Sequence, residues 1–342
     1  MRTETMAALR AQVAVLERGS SAGPVPSRLP LGIPELDARL PGQGLALGAM
    51  HELFAGGPAA GHGAAPALFA AAALARRTGP VLWIAARCDF YPPALARVGL
   101  DPARLVFVRT RRSALRAMEE GLRHPGLTGV VCEHEGRLDL VASRRLQLAA
   151  EATDVLGFTL RRSPRFDDPA LRAPSAAATR WRIASVPSPP PLPHAPDVPG
   201  LGRPLWRLEL LRYRVAPVES DVPERAVLAI PPLAPSDGRG WTTPWPRPAR
   251  LLPWPEPVDA VGLLPDHLPR VFTWRRVRRR VMRADGPERI TGEWWRRSSE
   301  RVAVRDYWAV EDENGCRFWL FRQGDGLDPA TGGLAWFLHG FF

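Results

Sequence analysis

The sequence predicts an α/β protein: a mostly parallel sheet flanked by helices, followed by a small, mostly β C-terminal module. Between Met50 and Leu160, short β-rich runs alternate with alanine- and leucine-rich stretches of helical period. A glycine-rich loop at 56–63 stands between one such run and one such helix. After about Glu219 prolines crowd the chain, and nine of its twelve tryptophans fall between Trp241 and Trp336. A chain of 342 residues suits two domains, and the change of composition places the division.

Met6, Leu9, Val13 and Leu16 recur at helical spacing and predict an amphipathic helix within residues 1–30. In the first domain, residues 31–219, strands are expected over Met50–Phe54, Val81–Ala85, Leu105–Val108, Gly129–Cys132 and Val155–Leu160. Helices are expected over Ala64–Arg77, Pro92–Val98, Ser113–Arg123 and Leu138–Ala152. Two alternating runs, Thr179–Ser185 and Leu205–Tyr213, predict an antiparallel edge around a mobile proline-rich loop, 187–204. A Pro/Trp-rich linker is expected over 220–265 and the β module over 266–342. There, Asn314-Gly315 between Val302–Val310 and Cys316–Arg322 is a strong hairpin signal.

The loop Gly56-Gly57-Pro58-Ala59-Ala60-Gly61-His62-Gly63 has the glycine spacing of a Walker A motif, which turns backbone N–H groups and a helix N-terminus toward an anion. His62 stands where a lysine would reach the phosphates, and Gly63 where a hydroxyl would hold magnesium. An unperturbed histidine is mostly uncharged at neutral pH and replaces that lysine weakly. After Val81–Ala85, Ala86-Arg87-Cys88 brings no acid, whereas Val130-Val131-Cys132-Glu133 ends in a Walker B-like carboxylate. Gly56, Gly57, Gly61, His62 and Gly63 with Glu133 therefore read as a degenerate nucleotide site. It is expected to be non-catalytic and to need no cofactor, with residual nucleotide binding as its remaining capacity.

The chain has no lysine: all 46 basic side chains are arginine, against 35 carboxylates, for a net charge of +11. That balance favours acidic partners, although a GC-rich genome gives the same bias. Cys88, Cys132 and Cys316 have no C-x-x-C spacing, which fits a reducing cytoplasm. Cys132, Glu133, His134 and Glu135 alternate between faces of a strand, so a shared metal is not expected. No G-x-S-x-G elbow and no apolar run long enough for a membrane span is present.

Gly32-Ile33-Pro34-Glu35-Leu36-Asp37 and Leu45-Ala46-Leu47-Gly48-Ala49-Met50-His51-Glu52 lead into the glycine loop as the entry to a RecA-like core does. Together with Met118–Arg123, Ala142–Glu151, Thr179–Arg182 and Trp206–Arg212, they resemble the ImuA family, the RecA-like, catalytically degenerate component of a bacterial mutagenesis cassette. Gly286–Ile290, Glu293–Trp295, Arg305–Tyr307, Phe318–Leu320 and Trp336–Gly340 resemble the C-terminal tail of ImuB, the Y-family polymerase-like protein of that cassette. The resemblance implies a non-catalytic adaptor in damage-induced translesion synthesis. Its implied partners are an ImuB-type protein, an error-prone C-family DNA polymerase and RecA. A nucleotide-dependent ATPase and a single-stranded DNA binder are the competing readings.

In the tail, Trp274 with Arg276, Arg278, Arg279 and Arg280 combines aromatic faces with guanidinium groups, a pattern that stacks on bases and neutralises phosphates. The plainer reading is an alternating strand with Val277 and Val281 inward and arginines in solvent. Trp294, Trp295, Trp308 and Trp319 belong to adjacent aromatic pairs whose outward members are interface candidates.

Overall fold

The computed structural model describes residues 27–342 except 41, 58, 88, 137, 163–168, 170–172, 214–225, 230–245, 263–266, 294 and 296. The expected N-terminal helix lies outside the described residues, as do Pro58, Cys88 and Trp294. A short ribbon, β1 (Arg28–Leu29) and β2 (Leu45–Ala46), precedes the main sheet, with α1 (Pro34–Asp37) between them.

The first domain follows as β3 (Ala49–Ala55), α2 (Ala59–His62), α3 (Ala64–Ala75), β4 (Val81–Ala85), β5 (Leu105–Arg109), α4 (Ala114–Leu122), β6 (Gly129–His134), α5 (Leu140–Glu151), β7 (Leu156–Arg161), β8 (Thr179–Val186), β9 (Leu205–Tyr213) and β10 (Ala226–Ala229). Its eight strands lie in the order β10-β9-β8-β3-β7-β6-β4-β5. The six from β8 to β5 are parallel, and β9 and β10 add an antiparallel edge. The apolar runs of β3, β6 and β7 are buried because helices cover both faces. α3 is buried almost all round, so alanine's small side chain lets it lie close to the sheet. Asp139 caps α5 by accepting a hydrogen bond from the Ala142 N–H at 2.7 Å. Pro92–Val98 forms a 3-10 helix, opened by two prolines and closed by Gly99 at φ +87°.

The C-terminal module is a closed six-stranded antiparallel barrel: β11 (Arg250–Val261), β12 (Val271–Trp274), β13 (Val277–Thr291), β14 (Val304–Asp312), β15 (Arg317–Gln323) and β16 (Trp336–Phe341), with β16 closing on β11. Phe272, Trp274, Trp308, Val310, Phe318, Leu320 and Leu338 are buried in one continuous apolar cluster. β11 falls inside the stretch expected as linker. Pro253, Pro255 and Pro257 hide its strand character, and its pairing with β16 is irregular between Leu251 and Glu256, where the first two of them lie. The expected hairpin forms as β14 and β15 around Asn314-Gly315.

The barrel packs onto the first domain. The proline-rich loop, expected to be mobile, is pinned to it: Ser188 donates to Glu311 at 2.9 Å, Leu201 N–H to Asp285 at 3.0 Å, and Arg317 to the Gly202 carbonyl at 2.7 Å. Gly315 sits at φ +79°, and a Cβ there would run into the Val186 backbone. This one glycine therefore serves both the hairpin turn and the close approach of the two domains. Gly315→Ala should lower stability by about 2 kcal/mol or more, read as a fall in thermal midpoint.

Candidate functional site

The glycine loop leaves the carboxyl end of β3 and enters α3, the position a phosphate-binding loop takes in an open parallel sheet. Two of its glycines are required by close approach. A Cβ on Gly56 would collide with Ala184 of β8, and one on Gly57 with the His62 ring. His62 thus folds back over its own loop. On its other side it meets Cys316 of the barrel, whose Sγ lies 3.4 Å from Nε2.

Barrel side chains also reach Gly61 and Gly63. A Cβ on Gly61 would have Arg279 Nη2 at 3.6 Å and Phe318 Cζ at 3.9 Å. Arg250, the first residue of β11, donates from Nε to the Gly63 carbonyl at 3.0 Å. Burial, reinforced by the Arg279 charge, pushes His62 down to about 4, so the ring is neutral where the motif lysine would be charged. Burial likewise pushes the Cys316 thiol well up.

Glu133, the last but one residue of β6, has 1% side-chain exposure, and both its oxygens are taken. Oε1 accepts from Trp83 Nε1 at 3.0 Å, while Oε2 accepts from Arg162 at 3.0 Å and lies 3.1 Å from Arg250 Nη1. The expectation of no acid beyond β4 needs correction. Ala86 and Arg87 carry none, but the chain turns Asp89 back beside Glu133, where it binds Arg162 at 2.7 Å and Arg250 at 2.9 Å. A backbone bridge between Phe90 and Arg250 holds this arrangement, with Tyr91 N–H donating to Ala249 and Leu251 N–H to Asp89. Burial alone would raise the Asp89 carboxyl, but Arg250 and Arg162 hold it below its ordinary value. Two carboxylates and two guanidiniums therefore close a charge-balanced cluster across the domain boundary.

The remaining expected site residues separate by strand face. Trp274 is buried and donates to Glu256 at 2.8 Å. Trp308 is buried in the barrel beneath Arg322. Trp319 lies on the outer wall, stacked on Tyr307 at 4.1 Å and capped by Arg247 at 5.4 Å, so it is buried too. Trp295 is exposed. Arg279 points inward, with Nη1 2.6 Å from Asp312 Oδ2, whereas Arg276, Arg278 and Arg280 are exposed. The grouping of these four arginines into one surface is therefore corrected: β13 alternates, and Arg279 belongs to the interface with the loop. Cys132 and Glu133 face opposite sides of β6, and among the described residues no group of His, Cys, Asp and Glu has metal-binding geometry. Among them, too, no helix is long and apolar enough to cross a membrane. Arg250, Arg162 and Asp89 were not singled out from sequence, since their meeting depends on contacts across 29 to 161 positions.

No family model matches the chain. It is 42% identical over 196 residues to Protein ImuA of Caulobacter vibrioides strain NA1000 / CB15N, an alignment covering 54% of this chain and 78% of that protein. It is 46% identical over 136 residues to Protein ImuB of the same strain, covering 38% of this chain but only 29% of ImuB. Among solved structures, that of the RadB recombinase aligns with a TM-score of 0.42 at 16% identity, over 59% of this chain and 96% of RadB.

Two outcomes follow from the cluster. Arg250→Ala leaves a buried carboxylate and a largely buried one to one guanidinium and should destabilise the protein by about 3–5 kcal/mol, read by denaturant unfolding with faster proteolysis near β11. His51, His62 and His339 are each held near 4, below the ordinary 6.5, so acid favours the unfolded chain. Stability should fall as pH drops from 6.5 toward 4, with Asp89 adding its loss below 3.8. His62→Gln should flatten the upper part of that profile.

Proposed function

This chain belongs to the ImuA family, and we propose that it acts as a non-catalytic, RecA-like adaptor in damage-induced, error-prone translesion synthesis, its ImuB-like barrel docked in cis on the degenerate nucleotide loop. One observation carries the reading: Arg250 of the barrel takes up Glu133, Asp89 and the Gly63 carbonyl together. An ATPase needs a carboxylate free to order water or magnesium beside a lysine on the phosphates. Here Glu133 accepts from Trp83 and Arg162 and is ion-paired with Arg250, His62 is neutral, and Arg279 and Phe318 lie over Gly61. The loop then serves as a docking surface for protein.

On this reading the partners are an ImuB-type protein and an error-prone C-family polymerase, with RecA as a further candidate. They are held through surfaces other than the loop, because the chain's own barrel occupies it. Affinity capture of the tagged protein from DNA-damaged cells should recover a polymerase-cassette or RecA-like partner, and the purified protein should show no ATP turnover. Recovery of neither class of partner would overturn the adaptor. Hydrolysis abolished by Glu133→Gln would establish the ATPase in its place.

A further inference from the structure

We infer that the outward face of the β12–β13 hairpin is a contact for a single-stranded nucleic-acid backbone, made by Arg276, Arg278 and Arg280 without base recognition. This surface lies away from the nucleotide loop and stands independently of the adaptor reading.

The hairpin turns through Arg275 and Arg276, both at positive φ (48° and 65°), between the paired residues Trp274 and Val277. A two-residue turn with both central residues in that region is the arrangement for which Asn-Gly is favoured. Arginine at both positions costs roughly 1–2 kcal/mol per residue in backbone strain. The turn therefore keeps guanidinium groups at its tip against local preference. Arg275 is partly committed, paired with Glu256 at 2.7 Å and lying over the Trp274 ring. Arg276 is exposed.

Along β13, residues two apart share a face about 6.8 Å from one another. Arg278 and Arg280 thus share the outward face of β13 and Arg276 stands exposed at the turn just before it, while Arg279 turns inward to Asp312. No carboxylate pairs with the three side chains among the described residues. Acids near this hairpin are engaged elsewhere or set apart: Glu256 pairs with Arg275 and Trp274, Glu313 accepts from the Arg280 backbone N–H, and Asp259 lies two strands from Arg278. Thr273 and Val271 lie opposite Arg278 and Arg280 and add no charge to this face.

The chemistry separates a polyanion from an acidic protein. Protein interfaces centre on buried aromatic anchors, but Phe272 and Trp274 of this hairpin point into the barrel. For the same reason the hairpin's own aromatic rings are turned away from bases. What remains is a group of exposed bidentate phosphate donors at one hairpin, two on a strand face and one at its turn, suited to neighbouring phosphates of an extended strand.

The test is fluorescence anisotropy of the full chain with a labelled, mixed-sequence single strand of about 20 nucleotides, between about 50 and 200 mM salt. Replacing Arg276, Arg278 and Arg280 together by Ser should reduce the slope of log affinity against log salt by about 2, from roughly 0.7 per phosphate contact. Affinity at the lowest salt should fall about tenfold or more. The triple Lys variant should keep most of the slope. Arg111→Ser with Arg112→Ser and Arg116→Ser removes the same charge from exposed positions elsewhere and should change binding little. Equal loss in both Ser variants would reduce the effect to net charge and overturn the proposal, as would an unchanged slope. Displacement of the probe by polyglutamate at equal charge concentration would assign the three arginines to an acidic protein and refute the proposal, and tighter binding of duplex than of single strand would also refute it.

Discussion

A buried carboxylate and a largely buried one facing one guanidinium set the constraint on which this structure depends. Glu133 lies near the end of a central strand and Asp89 beside it, and among the described residues the first domain supplies Arg162 to both. A buried ion left uncompensated costs several kcal/mol, more than most single contacts return. Arg250 removes the imbalance, and it comes from the barrel. The two domains are thus joined by charge compensation as well as by apolar burial. The Phe90–Arg250 backbone bridge and the Gly315 approach fix the geometry in which that compensation works.

The arginine-only composition becomes structural at this point. Arg250 addresses a carbonyl from Nε and both carboxylates from Nη1 of one planar fork, which a lysine ammonium on its flexible stem matches poorly. The cation missing from the loop's own sequence is replaced by one from the barrel, aimed at the carboxylates and a carbonyl. The positive charge returns to the neighbourhood of the glycine loop, but as part of a closed cluster.

Elements set by local pattern were legible in the sequence. β4 runs over the expected residues, and the β14–β15 hairpin forms around Asn314-Gly315, because a buried parallel strand and an Asn-Gly turn each carry their signal within a few positions. β11 was not legible, since alternating prolines mask a strand whose pairing tolerates their missing N–H groups. At the site, the glycine loop and Glu133 were readable as positions, but the chemistry depended on Asp89, Arg162 and Arg250 meeting across the fold. The arginine run shows the same limit on a smaller scale. Composition grouped Arg276, Arg278, Arg279 and Arg280, whereas strand alternation sends Arg279 to the loop and the other three to solvent.

Covalent linkage decides how strongly the barrel competes for the loop. Joined to the first domain, it meets its docking surface at an effective concentration on the order of millimolar. Even a modest interface, with an intrinsic dissociation constant of about 1 µM, would then be docked in roughly 999 molecules of every 1,000. A free segment of similar structure would need a concentration near millimolar to displace it. The covered loop is therefore the resting condition of this chain by mass action, and its accessible chemistry lies on the faces the barrel leaves open.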